Sequence, residues 1–397
     1  MNALRKLLDK QKPLFEKGGK FEKFYYLFEA QDTFLFTPNT TTQGKGAHIR
    51  DAIDLKRLMM TVVIALIPCL LFGIWNTGHQ HFLFTGQEAA FWDKVLFGAR
   101  IVLPIVIVAY AAGGIIEVIF ALIRKHPINE GFLVTGMLIP LIMPPTIPLW
   151  QVALATVFAV IIGKEVFGGT GMNILNVALT ARAFLYFAYP SEISGDVWTY
   201  LGETPMAEGY TGATPLSIAA ESVTQTAQPL VETLNTANHG MFTLSNLFWG
   251  FIPGSIGETS VFMVLLGAVI LILTGVGSWK IMLSTVIGAL FMGEIFNLAG
   301  ANPFMSLPSY YHLVIGGFAF GTVFMATDPV SAAQTERGKW IYGFLIGVLT
   351  VLIRVFNPAY PEGIMLAILM MNVFAPLIDF YVVQANKKRR LKRATAV

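Results

Sequence analysis

The sequence predicts an all-α polytopic membrane protein of about ten transmembrane helices, arranged as two five-helix halves of inverted orientation. Three observations carry that prediction. Hydrophobic residues fill 55% of the 397 positions and charged ones 13%, with a mean hydropathy of +0.63, a balance for which lipid is the natural solvent. Apolar runs of membrane-spanning length begin near Leu58, Leu96, Phe132, Leu149, Ile174, Ser260, Lys280, Leu307, Trp340 and Gly363. The stretches opening at Pro144 and at Asp328 also share an order: Pro turn, apolar span, basic residue before a Val-Phe step, Gly/Pro break, second span. Five spans per half place such copies in opposite orientations. The competing reading is that two hairpins look alike because both obey bilayer rules.

In chain order, residues 1–56 form a polar, Lys-rich arm with no apolar core of signal-peptide type, so no cleavable leader is expected. Residues 57–190 are the first transmembrane half. Its third span meets Pro144 and Pro145, and its fifth contains Arg182; such interruptions are tolerated where neighbouring helices or a lined cavity satisfy the freed backbone. Residues 191–245 form a loop, residues 246–385 the second half, and residues 386–397 a basic tail. The Gly/Pro-broken stretch from Asn246 to Ser260 is a re-entrant candidate.

Charge orients the bundle. Eleven Lys and Arg precede Leu58; Arg124, Lys125, Lys164, Lys280, Arg337, Lys339 and the tail KKRRLKR from Lys387 all fall on one side under an even number of spans. That side is the cytoplasm under the positive-inside rule, which puts both termini there. Between Arg182 and Lys280 there is no Lys or Arg, although Glu192, Asp196, Glu203, Glu208, Glu221 and Glu232 lie there, so the 191–245 loop faces outward, to the periplasm. Lys94, Arg100 and Arg354 fall near outer ends and run against this scheme.

Several function classes drop out. The net charge of +3 comes from basic ends around a nearly neutral middle, and no basic groove with interleaved aromatics points to nucleic acid. The single cysteine, Cys69, excludes a disulfide framework and cannot alone hold an iron–sulfur cluster. Gly168-Gly169-Thr170-Gly171 lacks the Lys-Ser/Thr of a phosphate loop. The six histidines, His48, His79, His81, His126, His239 and His312, place no facing pair of haem-ligand type in any span, and no metal site is expected.

The chemistry is concentrated in the loop, where Glu208-Gly209-Tyr210-Thr211-Gly212-Ala213-Thr214-Pro215-Leu216-Ser217 sets small residues around a hydroxyl. Small neighbours leave that hydroxyl accessible and let the backbone approach a bulky phosphate donor. Thr214 is the candidate; a Gly turn with idle hydroxyls is the bland alternative. Inside the spans an ionisable side chain costs several kcal/mol unless paired, hydrated or ion-bound. Glu117, Glu165, Glu294, Asp328 and Asp379 are therefore functional candidates by default. Structural ion pairs and snorkelling to the interface compete with that reading; Glu165 beside Lys164 is expected to form an interfacial pair.

The Ser/Thr-Gly-Ala-Ser/Thr segment resembles the site at which a flavin transferase esterifies FMN onto membrane subunits of the Nqr and Rnf complexes. Further stretches carry the resemblance along nearly the whole chain: GGKFEKFYYLFEA, HIRDAIDLKR, RKHPINEGF, PPTIPLW, KEVFGGTG, IPGSIGE, GGFAFG, MATDPVSA and NPAYPEGIMLAIL. The chain is thus similar to the NqrB/RnfD family, and its long polar arm favours the Nqr branch over the Rnf branch, which serves ferredoxin and NAD. A solute channel or transporter with an incidental TGAT is the third reading.

The resemblance implies the following. The architecture is urea-transporter-like. FMN is attached through a phosphoester to Thr214, within Thr211, Gly212, Ala213 and Thr214; Glu208 stands where the family commonly has Asp. Glu117, Asp328 and Asp379 correspond to acidic residues associated with sodium handling. Quinone is reduced near the cytoplasmic face, with which Gly113, Gly114 and Glu29 are compatible, although helix packing also explains paired glycines. Riboflavin relays electrons onward to ubiquinone, NADH is oxidised on another polypeptide, and the partners are the A, C, D, E and F components of a six-protein complex in the bacterial inner membrane.

Overall fold

The computed structural model describes residues 2–16, 18–36, 54–125, 128, 130–208, 210–225, 229–357 and 361–394. Gly209, His48, His126 and residues 37–53 of the expected arm lie outside the described residues. Among the described residues, six helices are long and apolar enough to cross a membrane: α3 (Leu55–Phe84), α4 (Phe91–Arg124), α6 (Leu149–Gly163, extended by a further turn to Phe167), α12 (Trp279–Ala299), α15 (Glu336–Phe356) and α16 (Ile364–Ala394). The protein is thus an all-helical, multi-pass membrane protein. The other expected spans are short or broken: α5 (Gly131–Leu141), α7 (Val177–Ala188), α11 (Val261–Leu273), and the pair α13 (Tyr311–Val314) and α14 (Phe318–Phe320), the latter running into a π turn over Gly321–Met325. The arm contributes α1 (Asn2–Phe15) and α2 (Tyr25–Leu35); the loop contributes α8 (Pro215–Gln225) and α9 (Leu230–Thr236), and α10 (Leu244–Trp249) runs from its end into the stretch expected to re-enter.

Helix ends follow side-chain chemistry. Asp54 caps α3 by accepting the Arg57 N–H at 3.0 Å, Asn176 caps α7 through the Leu179 N–H at 3.1 Å, and Thr335 caps α15 through the Gly338 N–H at 3.1 Å. The long helices cross at glycines. A Cβ on Gly98 would stand 1.8 Å from the Ile74 carbonyl of α3, and one on Gly78 1.9 Å from the Lys94 carbonyl of α4. The α12–α15 crossing repeats the device, Gly288 against the Phe344 carbonyl and Gly347 against the Thr285 carbonyl, each at 2.1 Å. Only glycine permits such approach, and close backbone packing is what joins helices when lipid competes for apolar surface. Packing order recurs too: α4 lies on α6 and α6 on α7, while α12 lies on α15 and α15 on α16.

The breaks satisfy one another. After α5, the carbonyls of Leu141 and Met143 accept the N–H groups of Gly257 (2.7 Å) and Ile256 (3.1 Å), so the interrupted segment before α6 pairs with the one before α11. Gly257 is required there, since its Cβ would lie 2.7 Å from the Leu141 side chain. Buried arginines take further freed carbonyls: Arg182 donates to Ile142 O at 2.7 Å, and Arg354 to His312 O, Ile315 O and Glu362 O at 2.6, 2.8 and 3.0 Å. Arg354 is 0% exposed. It is a buried charge that serves freed carbonyls, not a surface one.

Contacts define two faces. At the terminal face Lys56 pairs with Glu130 at 2.5 Å and Arg124 with Glu165 at 2.9 Å. At the opposite, loop face, Phe84 O accepts the Ala207 N–H at 2.7 Å and Thr146 donates to Val197 O at 2.6 Å. The tail expected as a separate unit over 386–397 is, through Ala394, the end of α16, because its run of Lys and Arg is helix-forming once a preceding helix has nucleated it.

Candidate functional site

Thr214 is the residue before α8, with Pro215 in the first helical position. Thr214 and Ser217 cap reciprocally: the Ser217 N–H donates to Thr214 Oγ1 at 3.2 Å, and the Thr214 N–H donates to Ser217 Oγ at 2.9 Å. Thr211 is differently employed. Its N–H and hydroxyl both donate to Asn238 Oδ1, at 2.9 and 3.2 Å, and its carbonyl accepts from Asn238 Nδ2 at 3.0 Å. Asn238 takes a left-handed φ of 45° to reach it. Gly212 is buried, and a Cβ there would stand 2.6 Å from that of Asp196. Ala213 is half-buried and Glu208 exposed. The exposed Thr211 is thus tied to Asn238, whereas the half-buried Thr214 is tied only to the first turn of its own helix, so the two threonines are not equivalent.

The hydroxyl stands on a cavity of about 410 Å³, whose wall includes Trp198, Ser217, Arg182, Glu258 and Glu362. Its size falls within the range of small-molecule sites. Arg182 and Glu258, both buried, pair at 3.1 Å, and the Arg182 guanidinium lies 5.8 Å from the centre of the Trp198 ring. The N–H groups opening α8 carry partial positive charge, which suits an anion on Thr214 in a stretch without Lys or Arg. Sequence reasoning missed Asn238, Ser217, Glu258 and Glu362; the IPGSIGE stretch, already singled out, held the Glu258 signal.

The carboxylate candidates separate into three situations. Glu117 is buried and ion-paired with Lys164, itself buried. Glu165 pairs with Arg124, which corrects the expected interfacial pair with Lys164: the Lys164 ammonium is already committed to Glu117, and the Glu165 side chain is buried. Asp379 accepts the N–H groups of Gln334 and Thr335 at 2.7 and 3.0 Å and the Thr335 hydroxyl at 2.5 Å, fastening α16 to the start of α15. Asp328 accepts from Ser331 Oγ at 2.9 Å, the Val330 N–H at 3.1 Å and Asn176 Nδ2 at 3.4 Å, and it lines a terminal-face cavity of about 80 Å³ with Lys164, Asn173, Asn176 and Thr327. Glu294 accepts the Ser309 hydroxyl at 2.6 Å. Asp328 and Lys164 thus line one cavity, and neither Glu117 nor Asp379 is among its lining residues.

The glycine pair divides as well. A Cβ on Gly113 would collide with the Phe132 ring at 2.1 Å, so this residue is a packing glycine; Gly114 has nothing among the described residues within 4 Å of such an atom. A cleft of about 1530 Å³ lies between the arm, from Phe15 to Tyr26, and Leu122 and Lys125 of α4. Neither Glu29, half-buried on α2, nor the two glycines are among the residues lining it.

Fold and site together define a polytopic α-helical membrane protein whose interrupted spans hold, at both faces, largely apolar cavities with a few charged side chains in their walls. The chain belongs to the NQR2, RnfD, RnfE family, whose model matches residues 42–388. It is 50% identical to the B component of the Na(+)-translocating NADH-quinone reductase of Chromohalobacter salexigens over 418 aligned positions, covering 99% of this chain and 97% of that one. The proteins of the same name from Azotobacter vinelandii and Pseudomonas aeruginosa are 50% and 49% identical over 417 positions, each covering 98% of this chain and 99% of the relative.

Proposed function

We propose that this chain is the B-type membrane component of a sodium-translocating NADH-quinone reductase, and that it carries FMN through a phosphoester at Thr214 Oγ1. The first part rests on the relatives' shared name over almost the full length of both chains. The second rests on one observation: of the two motif threonines, Thr214 lines the loop-face cavity and Thr211 does not, and Thr214 stands at the positive end of a helix. FMN supplies one- and two-electron transfer when bound. The positive end of α8 would offset the phosphate charge, Asn238 holds the motif still, and Trp198 would offer a flat wall to an aromatic ring.

In this reading the loop face is the outer side of the bacterial inner membrane and both termini lie in the cytoplasm. The A, C, D, E and F components complete the complex; NADH is oxidised on a partner, and riboflavin and then ubiquinone receive the electrons. Asp328 is the carboxylate we assign to the sodium path, because it lines a cavity, whereas Glu117 is held by Lys164 and Asp379 by α15. Quinone approaches from the side of α4 where Gly114 leaves space open. The attachment is tested by mass spectrometry of the Thr214 peptide from protein made in its native host. The reading expects an increment of one esterified FMN, and a bare peptide in fully matured protein defeats it.

A further inference from the structure

Below the Thr214 rim, the loop-face cavity contains a charge arrangement that tethering does not use. Glu258 has a side chain 4% exposed; its Oε2 meets Arg182 at 3.1 Å, while Oε1 is buried with no hydrogen-bond partner among the described residues. A buried carboxylate oxygen left without a donor is costly as long as it is charged, and a proton on it turns the bare acceptor into a donor. Arg182 is not a dedicated counter-ion, since the same Nη1 donates to Ile142 O at 2.7 Å and reaches Ser255 Oγ at 3.5 Å.

A second carboxylate converges on the same place. A Cβ on Gly317 would lie 2.9 Å from Glu258 Oε1, and one on Gly316 would lie 2.7 Å from Glu362 Oε2, so the two acids stand against one dipeptide that only glycine can form. Glu362 accepts the Gly317 N–H at 2.6 Å and is more open than Glu258, its side chain being 14% exposed. Its cation, Arg354, stands at 4.0 Å and is spent on three carbonyls. The charged and titratable groups facing Glu258 are thus Arg182 from α7 and Glu362 from the segment before α16, with Arg354 of α15 and His312 of α13 behind Glu362 and with Glu221 of α8 also on the cavity wall. Two carboxylates against one glycine pair in a poorly solvated site make further negative charge nearby costly, and protonation of one of them relieves it.

We propose that Glu258 is the proton-exchanging group of the loop-face cavity, refilled from the aqueous side through Glu362, so that negative charge arriving on the group at Thr214 is matched by protonation of this carboxylate. The proposal rests on the attachment reading given above. One O–H bond forms at Glu258 and the proton comes from water on the loop side; the electron comes from the NADH-fed partner proteins.

The test is redox-difference infrared spectroscopy on the whole complex, with proton uptake followed by a pH dye. The component of the difference spectrum that is lost in Thr214→Ala should contain a protonated-carboxyl C=O band that shifts in D2O. Glu258→Gln should abolish the band and its stoichiometric proton uptake, and Glu362→Gln should slow the band's appearance. Should Glu258→Gln fail to assemble because Arg182 loses its partner, Glu258→Asp keeps the charge and must move the band's frequency. Flavinylated Thr214 with no carboxyl band in the wild type, or with a band indifferent to Glu258, overturns the proposal alone. An unmodified Thr214 overturns the attachment reading and this proposal with it.

Discussion

Replacing Thr214 by Ala separates attachment from folding, because the structure bounds what the fold loses. Of the contacts between residues 214 and 217, the Ser217 N–H bond to Thr214 Oγ1 at 3.2 Å disappears, with the weaker hydroxyl–hydroxyl contact at 3.4 Å. Ser217 Oγ keeps its bonds to the backbone N–H and carbonyl of position 214, both at 2.9 Å. A lost N-cap side chain costs about 1 kcal/mol, which lowers the thermal midpoint by about 2 °C or less in a chain of this size. The helix lies in the loop, so the spans insert as before. Thr214→Ala should therefore purify in the same yield with no flavin fluorescence in a denaturing gel. Thr214→Ser keeps both hydroxyl and cap and should remain fluorescent. Thr211→Val removes only a 3.2 Å bond to Asn238, and it too should keep its flavin. Fluorescence that survives Thr214→Ala, or a loss of flavin from Thr211→Val with Thr214 intact, refutes the assignment.

Other perturbations test the scaffold and the carboxylates. Gly288→Leu forces a side chain onto the Phe344 carbonyl and should cost about 1–3 kcal/mol or more, read as a lower melting temperature in detergent; an unchanged one denies the α12–α15 contact. Glu117→Gln leaves Lys164 buried alone and should cost about 3–5 kcal/mol. Adding Lys164→Met should restore most of it, and a double mutant as weak as the single would show that the pair is not the source. Asp379→Asn gives up one charged acceptor at the start of α15 and should cost about 1–3 kcal/mol, with faster hydrogen exchange confined to the first turn of α15. Asp328→Asn should instead raise the sodium concentration for half-maximal turnover about tenfold, equivalent to about 1.4 kcal/mol, and an unaltered sodium dependence removes Asp328 from the path.

The sequence displayed the long helices plainly, since a bilayer requires about 20 apolar residues and α3, α4 and α16 supply them without help. It also marked breaks, by Pro144-Pro145 and by the Gly/Pro stretch from Asn246 to Ser260, but not the one at Gly316-Gly317 inside the span expected from Leu307. It could not show that Leu141 and Met143 would pair with Gly257 and Ile256, because a backbone hydrogen bond between distant segments leaves no local composition signal. The TGAT stretch named a candidate site but not the inequality of its threonines, which depends on Asn238, 27 residues from Thr211. Glu117, Asp328 and Asp379 were alike as membrane acids. What separates them is the partner each one finds, Lys164, a cavity or the end of α15, and none of those is its sequence neighbour in a readable pattern.

Arg182 and Arg354 looked like liabilities, one inside a span and the other on the wrong side for orientation. In the fold they answer the same demand. A span that stops at a proline or a glycine pair leaves carbonyls without N–H partners where water is scarce, and a guanidinium offers several donors in one plane. Supplying them brings a fixed positive charge into the membrane, which in turn needs carboxylates, and Glu258 and Glu362 stand there. The interrupted spans, the buried arginines and the acidic cavity floor are therefore linked consequences of breaking a helix in lipid. The same break opens space on the loop face, so the hydroxyl of Thr214 comes to stand over charges that the membrane itself made necessary.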